Sequence, residues 1–297
     1  MMMYEPQDIE QHFDTATIGY LQRKNTGGIS GQKGTRYEDY FAIYKLATMA
    51  PGVLENGLPV HFLSQTLAFV DDLVIDIPSE PLQHYQLKNS SNVSWASGSH
   101  SIQDDFANQN YANQVILKRD SEICLVVSDQ ACSVRLTKRV PSYIQQFSQV
   151  IYFPHSTITG LLEQVSSFRV AVTYLSAFQE PAPDKLEYTA KALLGAWINA
   201  SSNVSGQDLL TQAQKQTPQY IRSFKFSLAL ESEVENILSH IEDFKYNLAK
   251  GFLHWDYADG LQSGTQPYSI ETEEFRRLQE RIKDCHPTTF EELENLL

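Results

Sequence analysis

The stretch from Phe69 to Ser91, FVDDLVIDIPSEPLQHYQLKNSS, restricts the fold more than any other. Two β-prone runs flank Pro78-Ser79-Glu80-Pro81. Proline cannot donate to a strand ladder and pre-sets turn geometry, so the second run returns antiparallel to the first. Successive side chains of a strand alternate between faces. Asp72, Val74 and Asp76 therefore share one face of the first strand, with Asp71, Leu73 and Ile75 on the other. On the return strand Gln86 and Lys88 share a face. A hairpin of this kind brings Asp72 beside the Gln86/Lys88 pair.

The surrounding elements predict the rest of the architecture. RYEDYFAIYKLATMA has Tyr37, Tyr40, Phe41, Tyr44 and Thr48 at helical spacing and is expected to end at Pro51-Gly52. A polar arm and the glycine-bearing turn NTGGISGQKGT precede it. After the hairpin come a helix around IQDDFANQNYANQVILK, a buried strand EICLVVSD, a helix near VPSYIQQF and a strand SQVIYF. Helix, strand, strand, helix, strand, helix, strand predicts an α/β domain, a mixed sheet flanked by helices, over residues 1–158. From 159 to 297 most segments read as helix, giving a mostly helical C-terminal region. In ESEVENILSHIEDFKYNLAKGFL the stripe Val234, Ile237, Ile241, Phe244 and Leu248 predicts one amphipathic helix.

Charge narrows the chemistry. The chain of 297 residues has a net charge of −13. Residues 1–160 hold 11 basic against 16 acidic residues, and residues 161–297 hold 12 against 20. Such a chain does not hold nucleic acid by bulk charge, so a nucleic-acid site needs a local basic patch or metal ions. The three cysteines form no C-x-x-C pair, the eight histidines are scattered, and no apolar run spans a bilayer. With no basic-then-apolar leader at the N-terminus, these features predict a reduced, cytoplasmic protein without membrane association.

Glu38 lies in the first turn of the tyrosine-rich helix, where it can point at the hairpin. The set Glu38, Asp72, Gln86 and Lys88 suits metal-dependent phosphodiester hydrolysis. A hard cation such as Mg²⁺ or Mn²⁺ takes oxygen ligands. Asp72 is the expected main ligand, with the Leu87 backbone carbonyl or the Gln86 side-chain oxygen completing the shell and Glu38 holding a water or a second ion. Asp71 is a secondary candidate. Lys88 would orient the attacking water and offset charge in the transition state.

These residues carry a resemblance. Glu38, then VDDLVID with Asp72, then YQLK resembles the D-(x)n-(D/E/Q)-x-K signature of restriction-endonuclease-like nucleases, in its Q-x-K form. GGISGQKGTRYEDYFAIYKL, followed by these strands and by Trp95, Asp105-Phe106 and Gln109, resembles the N-terminal double-stranded-DNA endonuclease domain of anti-phage defence effectors. Such domains occur in CBASS effectors and Lamassu-type systems. The resemblance covers about the first half of the chain. It implies a Mg²⁺-dependent endonuclease acting on double-stranded DNA, working as an oligomer and controlled by partner subunits such as an SMC-like ATPase. The helical region is the expected partner surface. The alternative is a non-catalytic subunit whose degenerate nuclease fold docks DNA or a partner. GGISGQKGT does not meet the P-loop pattern G-x-x-x-x-G-K-[ST]. Its Lys33, with Arg36, is expected to touch phosphate near the helix N-terminus.

Overall fold

A computed structural model of the chain describes residues 4–30, 36–98, 100–225 and 228–297. The expected hairpin forms as β2 (Leu73–Asp76) and β3 (Leu82–Lys88), paired antiparallel with Leu73 opposite Tyr85 and Ile75 opposite Gln83. Ser79, at φ 69°, makes the turn between the two prolines. Asp71 and Asp72 precede β2 rather than lying inside it. The preceding backbone is tied elsewhere: the Phe69 and Val70 N–H groups donate to Gln109, and Gln65 N–H donates to the Asp71 carbonyl.

The hairpin sits inside a six-stranded mixed sheet ordered β5-β4-β3-β2-β1-β6. β1 (His61–Leu63) pairs antiparallel with β2 and with β6 (Asn203–Ser205). β3, β4 (Ser121–Val127) and β5 (Ser148–Tyr152) run parallel. α3 (Arg36–Asn56) covers one face. Its buried Phe41 packs against Tyr85 and Phe153, with ring centroids 5.1 and 5.2 Å apart. Truncating such a side chain costs about 3–5 kcal/mol. α3 continues through Pro51, where the sequence predicts a stop. A proline there lacks only the N–H that Ala47 would accept, and the buried Ala50 and Val53 hold the last turns against the core.

The other face carries His84, Gln86 and Lys88 of β3 in register with Ile123, Leu125 and Val127 of β4. α4 (Ile102–Ala112), followed by a π-helical turn (Asn113–Leu117), and α5 (Gln130–Thr137) pack on it through Phe106, Cys132 and Leu136. Residues 140–147, expected as a helix, form turns that deliver Ile144 to the same cluster. α1 (Pro6–His12) and α2 (Thr15–Ser30) replace the polar arm expected at the N-terminus. Tyr4, Ile9 and Leu21 bury themselves against Phe69 and Ala112.

The chain packs as two compact units. The first comprises residues up to Phe168 together with Leu193–Leu210. The sequence predicts one boundary after residue 158, whereas the pairing of β6 with β1 returns a later segment to the first unit. α6 (Ile158–Gln164) lies within it, and α7 (Ser166–Leu175), α8 (Pro183–Ile198) and α9 (Gly206–Gln216) span the divisions.

The second unit departs from the helical expectation. The stripe from Val234 to Leu248 is not one helix. α10 (Ser232–Ser239) stops, Asp243 takes φ 57°, and β7 (Phe244–Ala249) begins. β7 joins β8 (Phe252–Tyr257) through Lys250 and Gly251, at φ 55° and 88°. Two consecutive positive-φ residues form the primed turn that matches the twist of a hairpin. β9 (Gln262–Thr265) completes a three-stranded antiparallel sheet. α11 (Glu273–Cys285) and α12 (Phe290–Glu294) close a core of Val234, Ile237, Phe244, Leu253, Leu278 and Phe290. Among the described residues no helix is long and apolar enough to cross a membrane.

Candidate active site

Glu38 and Asp72 meet as the sequence predicts. Both line a cleft of about 470 Å³, with Arg36, Asp39, Ser64, Gln65 and, from the returning segment, Trp197. α3 supplies Glu38 from its first turn, and the residue just before β2 supplies Asp72. Burial pushes the Glu38 carboxyl up to about 8, the neighbouring Asp72 and Asp39 charges add to the shift, and Lys88 opposes it. Lys88 is thus close enough to act on Glu38. It is half-buried and, among the described residues, its ammonium has no hydrogen-bond or ion-pair partner. Asp39 is also raised by burial, against the hydrogen bond its Oδ1 accepts from Trp197 Nε1 at 3.0 Å.

Gln86 lies beside Asp72, but in a different role from the one expected. Its Nε2 donates to Asp72 Oδ2, which also accepts the Leu87 N–H at 2.7 Å. Its Oε1 faces Lys24 Nζ at 3.4 Å. Rotating the amide by 180° would turn its NH₂ toward an ammonium, so the orientation is fixed by charge. Gln86 therefore orients the Asp72 carboxylate, with its own oxygen turned toward Lys24. In a strand the N–H and C=O of one residue face the same edge. The Leu87 carbonyl consequently shares the edge on which Asp72 sits.

Asp71 is separated from the cleft. It is 2 % exposed, and its Oδ1 lies 3.5 Å from Lys24 Nζ, an ionic contact without a hydrogen bond. Burial raises its pKa, with Lys24 opposing. Lys24 of α2 is the hub: its ammonium donates to the Phe69 carbonyl and pairs with Asp105 at 3.2 Å. Tyr20 hydroxyl donates to the same Asp105 carboxylate at 2.9 Å. Burial lowers the Lys24 pKa, but Asp71 and Asp105 outweigh it and raise the value overall.

The downstream motif residues hold this frame. Gln109 Oε1 accepts the Phe69 and Val70 N–H groups at 2.9 and 3.0 Å, fixing the backbone that leads to Asp71 and Asp72. Its Nε2 donates to Tyr4 hydroxyl at 2.7 Å and Asn113 Oδ1 at 3.0 Å. Asn113 Nδ2 donates to His84 Nε2 at 2.9 Å, so the other ring nitrogen carries the proton and donates to the Val70 carbonyl. Trp95 packs edge-on against Phe106 and donates to the Leu136 carbonyl.

Lys33 lies outside the described residues, whereas Arg36 is exposed at the cleft. Sequence reasoning misses Lys24 and Trp197. The first falls in a segment that reads as a polar arm, and the second is more than a hundred residues from Asp39. Neither carries a local signal.

Two carboxylates and a backbone carbonyl are oxygen donors suited to a hard cation, and the Glu38 pKa is raised first by burial and then by the neighbouring Asp72 charge. Among the described residues no group of three or more His, Cys, Asp or Glu side chains is gathered to hold a metal. Comparison of the chain with protein-family models, with curated proteins and with solved structures gives no match.

Proposed function

We propose that this protein is a metal-dependent DNA endonuclease, an effector of anti-phage or anti-plasmid defence governed by partner subunits. The observation that carries the reading is the crowding of Glu38 and Asp72 in one cleft, with an unpaired Lys88 close by among the described residues. A bound cation would offset both the burial and the Asp72 repulsion that raise the Glu38 carboxyl.

Glu38, Asp72 through Oδ1 and the Leu87 carbonyl would hold Mg²⁺ or Mn²⁺. When bound, the ion supplies Lewis-acid charge against the phosphodiester. Gln86 and the Leu87 N–H fix the Asp72 carboxylate. Lys88 would hold the attacking water or stabilise the negative charge growing on the phosphoryl oxygens. Arg36, exposed at the cleft mouth, meets the phosphate next to the cut.

A second reading has one observation in its favour. Gln86 is occupied by Asp72 and Lys24, which leaves only two acidic ligands. A docking subunit with a degenerate site would have this arrangement. Incubating the protein with supercoiled plasmid and Mg²⁺ or Mn²⁺, alone and with its genomic neighbours, separates the two. The nuclease reading expects nicked or linear product that disappears in EDTA and in Asp72→Ala. Cleavage that survives both treatments, or no cleavage under any condition alongside DNA binding, removes it.

A further inference from the structure

The acidic residues of the first unit are unevenly placed. The chain has 36 acidic residues in 297, yet residues 81–103 and 130–162 contain none. Those two stretches hold Lys88, Arg135, Lys138 and Arg139. They are also neighbours in the fold. β3 and β4 run parallel, with Lys88 opposite Val127, and Ser128 N–H donates to the Lys88 carbonyl at 3.4 Å. The polar loop 89–101 therefore leaves the same sheet end as α5. Ligands of parallel sheets bind at the carboxyl ends of the strands.

The loop and helix enclose a second cleft of about 510 Å³, lined by Asn92, Ser94, Gln103, Arg135 and Arg139 among others, none of them acidic. Arg135 fastens one wall to the other, donating to the Ser91 and Val93 carbonyls at 3.1 and 3.0 Å. Lys138 and Arg139 are exposed and, among the described residues, have no acidic partner. Asn92, which lines the cleft, is four residues beyond Lys88, so the near edge of the cleft lies within about 14 Å of that lysine's Cα. Along one DNA strand that distance corresponds to roughly four nucleotides of axial rise.

We infer that this acid-free cleft, with Arg139 and the polar side chains of Asn92, Ser94 and Gln103 in its lining and the exposed Lys138 next to Arg139 in the chain, binds the phosphate backbone of the substrate strand a few nucleotides from the cut. The inference rests on the nuclease reading and adds to it a binding surface outside the Glu38/Asp72 cleft. Overall charge repels a polyanion, so contact has to come from a local positive surface. Phosphate contacts of this kind set position and register without reading sequence.

The test is duplex binding in EDTA, where no cleavage interferes. A fluorescent 20-base-pair duplex is titrated with the wild type, with Lys138→Ser/Arg139→Ser, and with the control Lys245→Ser, an exposed lysine of the second unit. The double variant is expected to bind about tenfold or more weakly near 0.1 M salt, with the slope of log K against log salt smaller by about 1.8, two phosphates' worth. Both side chains are exposed, and circular dichroism verifies that the variant folds. Wild-type binding with an unchanged double variant overturns this cleft and leaves the nuclease reading standing. An equal loss in the control overturns it as well, since the effect would then be one of net charge. Wild type that binds no duplex at low salt overturns both readings.

Discussion

The face of β3 that carries His84, Gln86 and Lys88 has two ends that differ in kind. At the His84 end every polar group is answered: ring nitrogens by Val70 and Asn113, the Asn113 amide by Ser121, and the Gln109 amide by Tyr4, Asn113 and two backbone N–H groups. At the Lys88 end Asp72 is held by Gln86 and the Leu87 N–H, but Glu38 is pushed up to about 8 by burial and by Asp72, and Lys88 has no partner among the described residues. Satisfied polar groups in a low-dielectric interior fix a structure. A strongly perturbed titratable group in a cleft marks a candidate site. Strand β3 thus passes from scaffold to candidate chemistry within four residues.

Lys88→Met tests the contrast most severely. It is expected to reduce cleavage by roughly 10²–10⁴-fold. Stability should change by no more than about 0.5 kcal/mol, as for other substitutions outside packed contacts. Urea titration and plasmid cleavage on one preparation read both quantities. A fully active Lys88→Met protein would place the chemistry elsewhere.

Gln109→Leu should do the reverse. It strands the Phe69 and Val70 N–H groups, at about 1–3 kcal/mol for each buried orphan. The denaturation midpoint should fall, with turnover per folded molecule changed far less than in Lys88→Met. Equal losses of activity from the two would erase the distinction between the ends.

Stability against pH gives the smallest effect, and the two ends have opposite signs. Burial lowers the His84 pKa to about 4, so the unfolded chain binds the proton first and stability falls as pH drops from about 6.5 through 4. Glu38 is raised to about 8, so the folded protein keeps the proton longer and stability falls as pH rises from about 4.5 through 8. Asp71 contributes with the same sign as Glu38. In chelator, denaturation between pH 6.5 and 8 should show a decline that Glu38→Gln flattens, and added Mg²⁺ should flatten it too. A decline that Glu38→Gln leaves untouched would mean that Glu38 is not the strained group.

Much of this contrast is legible in the amino-acid sequence. The Pro78/Pro81 bracket dictates the hairpin, and alternation places Asp72 against Gln86. Element order predicts the mixed α/β class, and the parallel core strands β4 and β5 stand out as apolar runs. What escapes is either short or distant. β1 and β6 are three residues each, below the length at which a period can be read. The Val234–Leu248 stripe looks helical because Val234, Ile237 and Ile241 follow α10, while Phe244, Tyr246 and Leu248 alternate as a strand does. The role of Gln86 depends on Lys24, which reaches it from another element 62 residues away. Sequence spacing shows that an amide stands beside a carboxylate. The charge that turns the amide comes from a helix that spacing does not place.

The return of Asn203–Ser205 to the edge of β1 has a consequence for synthesis. When residue 158 leaves the ribosome, Glu38, Asp72 and Lys88 have all been made. The strand that covers β1 and the indole that holds Asp39 have not. Until some 45 further residues emerge, a matter of a few seconds at ordinary elongation rates, the sheet ends in a bare edge. This chain order ties completion of the cleft wall to the last strand of the sheet, after the first piece of the second unit has been translated.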